Sequence, residues 1–332
     1  MKKYSLFLLF FTSVFSYAQD VIFSQNFLVP ETLNTSFTGT TRGTKMGAVF
    51  RSQWRSSALK VSSNFAFADT WFEGYKSGIG ISLLNQKESG SSYTFNQANL
   101  NFAMAFEISE TWFFRPSISA GIGMKNYGFQ NLLLEDQINL GSTLINTGSI
   151  DPAVLKAQRS FIDISSSILF NNEESWFGLT VRHINKPNIS LTEAGNVPLD
   201  IFFSAHGKYN LPVLDNVRTW LADKSKIYLL SNYMKQGAYS RFDAGLQYVF
   251  DDQISLGLTM VTTPSKNTDK TTPLSSLSTF AGVQWKGYRF GYSYDLNTSE
   301  LLNSGGIHEF SISYDFNINI RELDRYKCVP FF

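Results

Sequence analysis

Segment after segment of this 332-residue chain places an apolar side chain at every second position and a polar one between. Ala98, Leu100, Phe102, Met104 and Phe106 interleave with Gln97, Asn99 and Asn101, and Phe114, Ile118, Ala120 and Ile122 with Arg115, Ser117, Ser119, Gly121 and Gly123. Phe242 to Phe250 and Tyr288 to Tyr294 repeat the pattern, as do Phe310, Ile312, Tyr314 and Phe316 against Glu309, Ser311, Ser313 and Asp315. Period two is the signature of a strand with two unlike faces. The polar rows carry full charges and glycines, which suits a wet lumen better than the outside of a sandwich.

About fourteen such segments are present, most of them about eight to twelve residues long, where a tilted strand needs about 9 to 11 to cross a bilayer. The connections alternate in length. Ile108 to Thr111, Asn171 to Ser175, Asp251 to Gln253 and Lys286-Gly287 are short, whereas Lys125 to Arg159, Asn185 to Asp200, Thr262 to Leu277 and Leu296 to Gly305 are long. Asn210 to Lys226 is the exception, long on the short side. The expected fold is therefore all-β, a transmembrane antiparallel β-barrel of about 14 strands, with short periplasmic turns and long outer loops. Trp112, Trp176 and Trp285, each beside a short turn, are expected to form part of one interfacial aromatic girdle.

Lys2 and Lys3, an apolar run from Tyr4 to Val14 and the small-residue step Ser16-Tyr17-Ala18 read as a secretory signal peptide over residues 1–18, leaving Gln19 as the first mature residue. No later run is long and apolar enough for a spanning helix. The charged fraction, 17%, is low and the aromatic fraction, 15%, is high, as for a protein with one face in lipid. A net charge of +1 gives no footprint for nucleic acid. One cysteine, Cys328, excludes an internal disulfide framework.

Residues 19–44 form an irregular leader, 45–316 the barrel and 317–332 a periplasmic tail. The leader shows neither strand nor helix periodicity, so loop, plug and docking arm all remain open; a loosely ordered N-terminal tail is the plainer reading. As a plug it would fold into the periplasmic mouth, held by Phe23, Phe27, Pro30 and Phe37. Asp151-Pro152 could open a short helix in a long outer loop.

Three blocks of the sequence give a family likeness. Phe23-Ser24-Gln25, Pro30, Asn34 and Gly39, followed by Arg51-Ser52-Gln53-Trp54, are the first; Tyr294-Asp295-Leu296 with Gly306-Ile307-His308-Glu309-Phe310-Ser311-Ile312-Ser313-Tyr314 are the second; Lys327-Cys328-Val329-Pro330-Phe331-Phe332 close the chain. In order and spacing these resemble the PorP/SprF family of outer-membrane proteins associated with type IX secretion. The resemblance implies an outer-membrane protein of a Gram-negative bacterium, not an enzyme, that supports export and surface anchoring of a secreted protein such as a large gliding-motility adhesin. Implied partners are that cargo, other type IX components and outer-membrane lipid. Phe23, Ser24, Gln25, Pro30, Asn34, Gly39, Arg51, Gln53 and Trp54 are the candidate plug or partner-binding residues. A passive porin is the alternative with the same fold.

Catalytic and cofactor sites are not indicated. By strand parity His183 and His308 fall on apolar rows and His206 on a polar one, so the three histidines are not expected to converge on a metal.

Overall fold

A computed structural model describes residues 20–54, 60–90, 92–128, 138–139, 144–145, 158–190, 195–212, 224–263, 274–298 and 305–316. The signal segment, the Asp151-Pro152 step, Cys328 and the tail lie outside the described residues.

Fourteen antiparallel strands form the wall: β1 (Thr44–Gln53), β2 (Val61–Phe72), β3 (Ser77–Glu88), β4 (Thr94–Met104), β5 (Phe113–Asn126), β6 (Gln158–Asn171), β7 (Trp176–Arg182), β8 (Phe202–Leu211), β9 (Ser225–Gln236), β10 (Tyr239–Phe250), β11 (Ile254–Thr262), β12 (Leu274–Trp285), β13 (Tyr288–Asn297) and β14 (Ile307–Asp315). Each pairs with its neighbours in sequence. The sheet closes where β1 meets β14, from Lys45 opposite Asp315 to Gln53 opposite Ile307. Closure leaves no edge, so the backbone groups of every strand find a partner in the wall. Phe106–Glu107 prolongs β4 against β5, and the pair Ile138–Asn139 and Leu144–Ile145 lies outside the barrel sheet.

The faces are inverted relative to a soluble protein. Arg115, Lys208, Gln247 and Glu309 are fully buried inside, while Leu100, Ile122 and Ile162 are more than 60% exposed on the outside. On β1, Lys45, Val49 and Arg51 point in and Met46, Ala48 and Phe50 point out. Such an exterior is stable only against lipid, where apolar side chains meet apolar solvent. Leu100→Arg, four residues from the short-turn end of β4, should therefore destabilise the folded barrel by about 2–4 kcal/mol in vesicles, as a charge placed near mid-bilayer does. A shift in the urea midpoint measures it; an unchanged midpoint would mean that Leu100 does not face lipid.

Turn chemistry fixes the register at the short end. Lys286 and Gly287 both have positive φ, 46° and 84°, the two-residue turn whose twist matches a hairpin, and Trp285 pairs directly with Tyr288 across it.

Two expectations need correction. Trp112 and Trp285 are exposed outside near the short turns, but Trp176 is 4% exposed and faces the lumen. It shares its row with Gly178 and Thr180, whereas the outward row of β7 starts at Phe177. His183 also points inward, although parity from Thr180 and Arg182 sends it out. The cause is its φ of 59°: one left-handed residue just past the end of β7 breaks the alternation. His206 faces in, as its polar row implies, and His308 lies on the outer face beside Tyr292.

Candidate functional site

The leader lies inside the barrel. Phe23, Phe27, Leu28, Val29 and Phe37 are buried against inward wall residues that include Val49, Phe65, Phe67, Leu169, Trp176 and Phe280, so the main apolar core of the molecule sits in the lumen. Phe37 meets the Trp176 ring edge-on at 5.1 Å. Pro30 is half-buried and opens a short 3-10 turn, Pro30–Thr32; a second, Thr35–Phe37, follows. Proline's fixed φ and missing N–H suit that first position. The segment is not confined to the short-turn mouth: it enters there at Thr44 and reaches the long-loop end at Asp20.

Polar anchors tie it to the wall along its whole length, four of them built around a charged or amide side chain in the leader or opposite it. Arg182 also donates to the Thr32 and Leu33 carbonyls. The first of the four joins two of the three sequence blocks that carry the family likeness. The backbone N–H groups of Ser24 and Gln25 donate to the two carboxylate oxygens of Glu309 at 2.8 and 2.9 Å, and the Gln25 side chain donates to the Glu309 carbonyl at 2.9 Å. Arg51 donates to Glu309 and, at 3.1 Å, to Ser24 Oγ, which itself donates to Asp295. Glu309 is 0% exposed. A buried carboxylate of this kind is tolerable only with charge and hydrogen bonds at both oxygens, and here two leader amides and one guanidinium supply them.

At the long-loop mouth, His183 bridges two carboxylates, Nδ1 to Asp163 at 2.8 Å and Nε2 to Asp20 at 2.9 Å, with Arg182 3.6 Å from Asp20. Gln236 accepts from the Asp20 N–H at 2.8 Å. Burial works against the charged His183, but Asp20 and Asp163 more than offset it and raise its pKa to about 9. Burial also works against ionised Asp20; His183 and Arg182 outweigh it and hold the carboxyl below the usual range.

The third anchor is Asn34, which caps the second 3-10 turn. Its Oδ1 accepts from the Ser36 N–H at 2.7 Å, which fixes the amide orientation, and Nδ2 donates to the Ile168 carbonyl at 3.1 Å and to His206 Nε2 at 3.0 Å. His206 Nε2 therefore accepts, so the ring carries its proton on Nδ1 and donates to Ser204 Oγ at 3.0 Å. Ser204 passes the chain on to Asn232.

Nearest the short-turn end, Glu31 pairs with Lys45, and the Gly39 N–H donates to Asp69 at 2.8 Å. Gly39 has φ of 73°, and its backbone presses on that of Gly78 on β3. A Cβ at Gly78 would lie 2.4 Å from the Thr38 carbonyl oxygen. Only two glycines permit this backbone-to-backbone approach.

Ser24, Gln25 and Arg51 thus converge at one point, Phe23 packs beside them against Phe65, and Pro30, Asn34 and Gly39 follow along the same path. Gln53 and Trp54 do not join them; they stand half-buried at the long-loop rim, where the Trp54 N–H donates to Gly306. Glu309, Asp295, Asp20, Asp163 and His183 were not among the expected site residues. Glu309 had a signal, since an arginine on a lumen row needs an acidic partner on a neighbouring lumen row, and Glu309 stands directly opposite Arg51; Asp295 is one strand farther, on β13.

A family model described as type IX secretion system membrane protein PorP/SprF matches residues 15–314. The chain belongs to the PorP/SprF family. It is an outer-membrane barrel associated with type IX secretion. No curated protein gives a significant match. Solved structures with a similar outline include the KdgM porin in complex with disordered oligogalacturonate, at 7% identity and a TM-score of 0.36, covering 82% of this chain and 99% of that one. A Pseudomonas aeruginosa FadL homologue, at 8% identity and 0.41, covers 82% and 90%. CdiB from Acinetobacter baumannii, at 9% identity and 0.44, covers 82% and 60%.

The Asp20–His183 anchor makes the PorP/SprF leader pH-sensitive, with signs that follow from the two shifts. His183, raised from 6.5 to about 9, contributes stability that is complete below pH 6.5 and lost as pH rises through 9. Asp20, lowered from 3.8, contributes above that value and loses it as pH falls. The anchor is strongest between these limits. Raising pH from 6 to 9.5 should lower the stability of the intact barrel by about 1–3 kcal/mol, read as the urea midpoint, and His183→Asn should flatten that dependence. The same slope in the variant would remove His183 as its source.

Proposed function

We propose that this PorP/SprF barrel is a closed scaffold, not a pore: its leader plugs the lumen, and the plugged barrel supports type IX export and surface anchoring of a secreted protein such as a large adhesin. The observation that carries this reading is the route of the leader, which runs through the lumen between Thr44 and Asp20, buries Phe23 to Val29 there, and is tied to the wall by Glu309, Arg51, His183 and Asn34. A passive solute channel needs a hydrated path, and its lining would not present a cluster such as Phe27, Phe37, Phe65 and Trp176 to water. The scaffold performs no chemistry of its own. Its partners are the exported cargo and other secretion components, met at the long loops and at the leader's outer end.

Recovery of the tagged protein from detergent-solubilised membranes, with mass spectrometry of what accompanies it, tests the reading alongside single-channel recording. An exported protein should co-purify and the intact barrel should stay near baseline conductance. Steady ion flow through the intact barrel with no accompanying protein would return the porin reading.

A further inference from the structure

On the lipid-facing wall, the surface that runs from β12–β14 across the closure to β1–β5 is concave. Ala48, Ala66 and Ala98 form its floor, and larger side chains, among them Phe50, Leu83 and Phe310, form its sides. The hollow is an open depression of about 1050 Å³ and adjoins a second of about 660 Å³, within or above the ~300–1,000 Å³ usual for sites that hold sizeable organic ligands.

Its outer boundary is polar in an ordered way. Asn64, Asn85 and Asn96 stand in register on β2, β3 and β4, all on the outward face. They bond side by side, Asn64 Nδ2 to Asn85 Oδ1 at 3.2 Å and Asn85 Nδ2 to Asn96 Oδ1 at 2.7 Å. Each lies eight residues from the short-turn end of its strand: Phe72 less 64, 85 less Ser77 and Met104 less 96. At the usual rise and tilt, eight residues climb ~20 Å, close to the outer limit of the ~25 Å apolar band of such barrels. Two positions farther out on the face of β3 is Lys87, and Lys60 sits just before β2; both are exposed.

We infer that this hollow is a binding site for the multiply acylated, phosphorylated glycolipid of the outer leaflet. Its vertical order, an alanine floor, then a row of amides, then two cations, is the order of acyl chains, acyl carbonyls and hydroxyls, and phosphates in such a lipid. The amide row accounts for the choice over a purely apolar occupant. Polar groups facing hydrocarbon are costly unless bonded, and the ladder leaves the Asn64 carbonyl and an Asn96 N–H at its ends for carbonyl and hydroxyl partners. Lys60 and Lys87 favour an anionic head over a neutral one. The inference rests on the long loops facing outward and is independent of the plug.

The test is native mass spectrometry of the micelle-purified full chain, offered lipid A or phosphatidylglycerol. Wild type should retain lipid A in preference to phosphatidylglycerol. Ala66→Phe, which fills the hollow, should cut lipid A occupancy about tenfold. The pair Lys60→Glu and Lys87→Glu should cut it roughly fivefold per lysine. Ala244→Phe, outward on β10, should leave it unchanged. Heat-modifiable mobility confirms that each variant is folded; if Ala66→Phe is not, the lysine pair decides. Equal retention of both lipids, or full retention by the folded variants, overturns the inference. A dimer or a bound polypeptide that Ala66→Phe removes also overturns it, in favour of a protein interface.

Discussion

Replacing Glu309 with alanine should free the outer half of the leader and destabilise the barrel by about 3–5 kcal/mol, the usual effect of removing one partner from a buried ion pair. The size follows from what the carboxylate holds. Without it, Arg51 stays buried with Asp295 as its remaining carboxylate, 3.7 Å away, and the N–H groups of Ser24 and Gln25 lose their acceptor. Each amide left unpaired in a dry site adds about 1–3 kcal/mol of desolvation that nothing offsets. Water reaching the loosened leader limits the total. Urea unfolding in micelles measures the loss, and limited proteolysis between Asp20 and Arg42 measures the release. The double variant Arg51→Met with Glu309→Met should cost less than Glu309→Ala, because it removes both charges together. A Glu309→Ala barrel with a wild-type midpoint and a protected leader would show that the anchor lies elsewhere.

The wall was legible in the sequence because a membrane barrel writes its structure locally. Met46, Ala48 and Phe50 against Lys45 and Arg51 state both strand and face within seven residues, and the alternating connection lengths state the topology. Local pattern does not carry the rest. Trp176 looked like a girdle residue because tryptophan beside a short turn usually is one; its place on the inward row was decided by the register with Gly178 and Thr180. His183 needed a left-handed φ that no periodicity announces. The leader was harder still, since an aperiodic segment has no face of its own. Ser24 meets Glu309 across 285 residues of chain and Asn34 meets His206 across 172, contacts that exist only after the sheet has closed. The family likeness marked Ser24, Gln25, Arg51 and Glu309 without saying that they touch.

Deleting Phe23 to Gly39 should convert the closed barrel into an open channel. Backbone pairing in the wall runs from strand to strand around the circuit, and the leader contributes no rung to it, so assembly and heat-modifiable mobility should survive. What disappears is the filling. Barrels of about eight strands are filled by their own side chains, and those of sixteen to eighteen enclose an aqueous channel; fourteen strands lie nearer the second case. The wall's inward Phe65, Phe67, Trp176 and Phe280 would then face water in place of Phe23, Phe27 and Phe37, so some loss of stability accompanies the opening. The charged groups lose less, because water replaces the leader amides around Glu309 and rehydrates Arg51. Single-channel recording should change from baseline to sustained conductance, and recovery of the exported partner should fall. A deleted barrel that assembles, stays closed and keeps its partner would rule out the plug and its role in retention together. One that conducts yet keeps its partner would leave the plug in place and move the docking surface to the outer loops.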